Sequence, residues 1–122
     1  MNENEMKSRT KAFALRVLKI IDAMPETRSG RIIANQLGRS GTSVGANYRA
    51  ACRARSAADM IAKISIVEEE ADEGAFWLEV IPDAGLMPAA KTGALLQEAG
   101  ELTAMMVASR KTLLARNRKS KF

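Results

Sequence analysis

Six carboxylates crowd the stretch VEEEADEGAFWLE: Glu68, Glu69, Glu70, Asp72, Glu73 and Glu79. Oxygen ligands of this kind suit a hard divalent cation such as Mg²⁺ or Mn²⁺. On a helix, positions 69, 72, 73 and 76 share a face, as do 68, 72 and 79. Metal-binding carboxylates of helical bundles converge from several helices, however, and few acids fall at inward positions elsewhere in this chain. The run therefore reads first as a solvated face, or as the ionic partner of nearby arginines. The pairing to expect is Glu69, Glu70 or Glu73 with Arg39 or Arg49. Buried, such a contact sets register more than stability.

The other chemistries are thinner still. The chain has no His, which removes Ser-His-Asp and Cys-His catalysis and any His-ligated zinc or di-iron site. Its one thiol, Cys52, stands in sequence among Arg49, Arg53 and Arg55. Neighbouring cations lower a thiol pKa, so Cys52 is either a mildly activated thiol or, more simply, a small helix residue. A single Cys makes no intrachain disulfide and suits a reducing compartment. In RSGTSVGANYRAACRARS (residues 39–56) and the Gly38 just before it, the spacing of Gly38, Gly41 and Gly45 matches neither G-x-x-x-x-G-K-[ST] nor G-x-G-x-x-G. No cofactor is expected.

Cations remain. Net charge is +5 with an isoelectric point near 9.7, a sign that favours polyanions. One group is Arg39, Arg49, Arg53, Arg55 and Lys63; the other is Arg110, Lys111, Arg116, Arg118, Lys119 and Lys121. Phosphate neutralisation needs such charges on one surface. Stacking on bases needs interleaved aromatics, and only Tyr48 is so placed. The candidate nucleic-acid contacts are Arg49, Arg53, Arg55, Lys63, Arg110, Lys111, Arg116, Arg118 and Lys119, gripping backbone rather than bases.

These residues are carried on an aliphatic, aromatic-poor chain of 122 residues, 47% hydrophobic and 4% aromatic, which favours one helical domain. Four helices are predicted, at about 8–24, 29–53, 56–81 and 88–115, with a frayed basic tail at 116–122. The inner stripe of the first is Ala14, Val17, Leu18, Ile21 and Met24, widened by Phe13 and Ile20. Pro25 ends it. The second carries Ile33, Leu37, Val44 and Tyr48, with Ser40, Gly41 and Ala51 making a thin face; Ser29 is its expected N-cap. Gly41 and Gly45 each cost a helix about 1 kcal/mol, so a three-helix bundle broken there is the rival architecture. The third opens on Ser56 with Asp59 as a capping pair and buries Ile64, Val67, Ala71, Gly74, Leu78 and Ile81. The fourth follows Pro88 and carries Leu95, Leu96, Ala99, Leu102, Met106, Ser109 and Leu113. An up-down-up-down four-helix bundle is the expectation. No apolar run reaches the roughly 20 residues of a membrane span, and the polar, acidic Met1–Met6 is unlike a secretory leader, so a cytoplasmic location is expected.

The segment GRIIANQLGRSGTSVGANYRAACRARSAADMIAKISIVEEEADEGAFWLEVI resembles the four-helix bundle proteins related to those encoded by intervening sequences of bacterial 23S ribosomal RNA genes. The matching residues are Gln36, Leu37, Arg39, Ser43, Val44 and Asn47, then Glu69, Glu70, Glu73, Trp77 and Leu78. After Asn47 the chain has Tyr48-Arg49-Ala50 where the commonest form has Ala-Glu-Gly, like one branch of the family. The likeness covers about residues 10–115 and is densest over 36–81. Arg39, Ser43, Asn47, Tyr48, Glu69, Glu70, Glu73 and Trp77 are expected to serve the structure, through ion pairs or packing. Relatives include the accessory variability protein of diversity-generating retroelements. The resemblance thus implies a homopentamer of four-helix protomers whose basic surface meets RNA or DNA, with a reverse transcriptase as a partner by family analogy. Three classes stand: a non-enzymatic nucleic-acid binder, a pure assembly module with its Arg and Glu paired internally, and a metal-dependent enzyme built on the acidic run.

Overall fold

The computed structural model describes residues 1–120. It holds four α-helices, with no strand among the described residues: α1 Glu3–Asp22, α2 Arg28–Cys52, α3 Ala57–Asp83 and α4 Ala89–Ser120. Helix α2 runs unbroken through Gly38, Gly41 and Gly45, which excludes the three-helix alternative. The compensation for its glycines is close packing. A Cβ on Gly41 would lie 2.7 Å from Val17 Cγ2, and one on Gly45 would lie 3.3 Å from Thr10 Oγ1. Gly38 faces Ile21 in the same way. Positions rise along α2 as they fall along α1, so the two helices are antiparallel.

The first three helices each have a capped start. The Asn2 side chain accepts from Glu5 N–H at 2.8 Å, and Glu3 and Glu5 sit in the first turn of α1, where carboxylates suit the helix dipole. Helix α1 therefore begins at Glu3 rather than near Ser8. Thr27, not Ser29, caps α2: its backbone is extended and its hydroxyl accepts from Gly30 N–H at 3.0 Å. Ser29 already lies in the first turn. Ser56 caps α3 by accepting from Asp59 N–H at 3.0 Å, while the Asp59 carboxylate accepts from Arg55 N–H at 3.2 Å. Helix α3 passes Pro82 to end at Asp83, and Gly85 two residues on, with a φ of +73°, lets Leu86 N–H reach Ile81 O at 3.0 Å and Gly85 N–H reach Pro82 O at 3.0 Å. These are the two bonds of a Schellman stop.

The core is one apolar cluster contributed by all four helices. From α2 and α3 it takes the expected stripes, Ile33, Leu37, Val44 and Ala51 with Ile64, Val67, Ala71, Leu78 and Ile81. From α4 it takes Leu95, Ala99, Leu102 and Met106; Ser109 is exposed. The α1 stripe differs from expectation. Met6, Thr10, Phe13 and Val17 point inward, whereas Leu18 is 45% exposed. Thr10 can be buried because its hydroxyl donates to Met6 O at 2.9 Å. Residues 116–120 also depart from the expected frayed tail, since α4 continues to Ser120. Ala, Arg and Lys are strong helix formers, Leu113 and Leu114 anchor the preceding turn, and Arg118 and Lys119 suit the negative end of the dipole. Residues 121 and 122, and with them the Lys121 expectation, lie outside the described residues.

Candidate nucleic-acid interface

The topology gathers the cations at one end. The start of α1, the end of α2, the start of α3 and the end of α4 meet there, so Arg49, Arg53, Arg55, Lys63 and the α4 cations share one pole of the bundle. Arg49, Arg53 and Arg55 are exposed, and none forms an ion pair among the described residues. Lys111, Arg116, Arg118 and Lys119 are exposed along the last turns of α4.

Two of the candidates are held inward by acids. Arg110 Nε donates to Glu68 Oε1 at 2.9 Å across the α3–α4 seam, each side chain about a quarter exposed. Lys63 Nζ reaches both carboxylate oxygens of Asp59 at 2.8 Å, one turn back on α3. That contact, followed by Arg55 N–H, holds the Asp59 carboxyl below its usual range.

Two clefts open at this pole. The first, of about 410 Å³, lies between α1 and α2. Its rim is Lys7, Lys11, Arg49 and Arg53, and Ala14, Thr42, Gly45 and Ala46 line it between them. The second, of about 510 Å³, is bordered by Ala50, Arg53, Arg55, Asp59 and Lys63. Arg53 belongs to both. Lys7 and Lys11 escaped the sequence reading. They are one turn apart on α1, a signal that appears once the helix is started at Glu3 instead of Ser8.

The expected Arg–Glu pairing forms with Arg39 rather than Arg49. Arg39 Nη1 lies 3.1 Å from Glu70 Oε2, Nη2 bonds Glu73, and Trp77 Nε1 donates to the same Glu73 oxygen at 3.3 Å. Glu69 is exposed and outside this network. Ser43 and Asn47 act within α2, donating to the carbonyls of Arg39 and Ser43 one turn back. Tyr48 is half-buried beside Cys52, and burial pushes its hydroxyl pKa up. Of the two readings of Cys52, the structure favours the simpler one, a small helix residue, over a thiol activated by arginines. Burial pushes the thiol pKa up, and the charged groups that reach it are Glu3 and Lys7. Among the described residues no group of three or more metal-ligating side chains converges. Glu70 and Glu73 are turned to Arg39, Glu68 to Arg110, and Asp72 and Glu79 to solvent. Also among the described residues, no helix is long and apolar enough to cross a membrane.

Known proteins place this geometry. A solved structure of a protein of unknown function, from the S23 ribosomal protein family of Bacteroides thetaiotaomicron, superposes with a TM-score of 0.83 at 29% identity. The match covers 91% of this chain and 99% of that one. No curated protein matches. The sequence itself matches the family of 23S rRNA-intervening sequence proteins over residues 2–108. With a match across most of its length and the four-helix architecture to go with it, the chain belongs to the 23S rRNA-intervening sequence protein family.

Proposed function

We propose that this protein is a non-enzymatic bundle that assembles as a homopentamer in the cytoplasm and binds RNA or DNA, without sequence preference, through pooled basic surface. The observation that carries the reading is the shared pole: Arg49, Arg53 and Arg55 are exposed, Arg49 and Arg53 have no carboxylate partner among the described residues, Arg55 has only Asp59 beside it, and the α4 cations back all three. Each copy added to a ring multiplies that charge. Exposed Leu15, Ile32, Ile66 and Phe76 supply apolar surface for contacts between copies, and the subunit number rests on the family resemblance. The test is a polarisation titration with RNA and with DNA at two salt concentrations, alongside light-scattering mass. Binding that weakens steeply with salt supports the reading; no binding at low salt, or binding indifferent to salt, removes it.

A second reading, a pure assembly module, draws on the internal pairing of Arg39 and Arg110. It expects Arg49→Ala to dissociate or unfold the protein. An Arg49→Ala oligomer of unchanged mass would count against it.

A further inference from the structure

We propose that the cleft between α1 and α2 is the track that holds successive phosphates of a single nucleic-acid strand. This deepens, and rests on, the reading that the protein binds nucleic acid; what is new is the place, the strand form and the part played by α1.

Two antiparallel helices present two rows of cations. Lys7 and Lys11 stand on α1, Arg49 and Arg53 on α2. Within each row the residues are four apart, about 6 Å along the helix axis, comparable with the separation of neighbouring phosphates in an extended strand. Lys11, Arg49 and Arg53 carry no carboxylate partner among the described residues; Lys7 has Glu3 at 3.0 Å, which also reaches Cys52 of α2 at the end of the row. Between the rows the lining is short: Ala14, Gly45 and Ala46 leave the trough open. The same thinness that lets Gly41 and Gly45 sit against α1 creates this hollow above the contact.

Its width selects a strand. Packed helix axes lie about 8–10 Å apart, which makes a trough one chain wide rather than a seat for a duplex. No aromatic lines either cleft, so the site grips phosphate and ignores the bases. Arg53 continues the row into the second cleft beside Arg55, where Lys63 is already paired with Asp59. A compact phosphate would fill one cleft only, whereas an extended polyanion spans both.

The test is polarisation of a labelled mixed-sequence single-stranded oligonucleotide with the full chain across a salt series. The groove triple Lys11→Gln/Arg49→Gln/Arg53→Gln should weaken binding about tenfold or more and lower the log–log salt slope by about 2, from about 0.7 per phosphate contact. The equal-charge control Lys111→Gln/Arg116→Gln/Arg118→Gln should lose clearly less. Ala46→Leu changes no charge, lies on an exposed position, and should weaken binding by filling the trough. Duplex of the same sequence should bind more weakly than the strand. Equal losses from the two triples, or an Ala46→Leu protein that binds normally, overturn the track while leaving the functional reading intact. Tripolyphosphate binding as tightly as the oligonucleotide overturns it in favour of a compact phosphate. Failure of the unaltered chain to bind any nucleic acid removes both.

Discussion

Arg9 of α1 and Glu98 of α4 grip each other through two hydrogen bonds, Nε to Oε2 at 2.8 Å and Nη2 to Oε1 at 2.6 Å. Glu101 stands further off at 3.5 Å. This fork closes the seam at which α1 has its narrowest contact. The Arg9 and Glu98 side chains are 24% and 15% exposed, so removing one leaves the other charge partly desolvated. Arg9→Ala or Glu98→Ala should each cost about 1–3 kcal/mol in urea unfolding. The double variant should cost less than the sum of the two. Additive losses would show that the fork is ornamental.

Gly41 against Val17 makes the opposite kind of contact, one that depends on a missing group. Gly41→Ala improves helix propensity by about 1 kcal/mol. It also drives a Cβ to 2.7 Å from a fully buried valine methyl. Overpacking of this sort costs about 1–3 kcal/mol, so the net effect should be destabilising. Adding Val17→Ala should recover part of the loss, and thermal unfolding of the single and double variants reads it directly. A Gly41→Ala protein more stable than the parent would mean that α1 can move away at no cost.

Asp59 should report the α3 start by pH. Its carboxyl is held low first by the Lys63 hydrogen bond and then by Arg55 N–H. A folded pKa below the unfolded one contributes stability that is present above the ordinary aspartate value, about 3.9. That stability is lost as pH falls through the folded pKa. An NMR titration should therefore place Asp59 below the ordinary value. Lys63→Ala should raise it, though not to the free value, because Arg55 N–H remains. An Asp59 that titrates normally in the unaltered protein would contradict the contact.

The two central helices were legible because their patterns are strict. The buried α3 residues Ile64, Val67, Ala71, Gly74, Leu78 and Ile81 follow the 3.6 period without exception, and Ser56 announces the cap. The α1 register was harder. Leu18 is as apolar as a core residue, and Thr10 looks polar until its hydroxyl is paired with Met6 O. Only Asn2 and the acidic first turn reveal the earlier start. Charge alone points to an Arg–Glu pair between α2 and α3 and leaves Arg39 or Arg49, and Glu69, Glu70 or Glu73, open; the structure pairs Arg39 with Glu70 and Glu73. Arg9–Glu98 could not be anticipated, since it joins residues on α1 and α4, far apart along the chain, and needs the three-dimensional order of the helices. The basic cleft was half visible for the same reason: Arg49 and Arg53 stood out in a cluster, while Lys7 and Lys11 looked like ordinary surface lysines until α1 was laid beside α2.

Trp77 is the single tryptophan of the chain, and its indole N–H is tied to the Glu73 oxygen that also holds Arg39. The molecule thus carries its own optical gauge, mounted on the boundary between α2 and α3. Its emission follows the parting of those two helices. Set beside circular dichroism, which weighs all four helices together, that one chromophore separates the order in which the bundle comes apart.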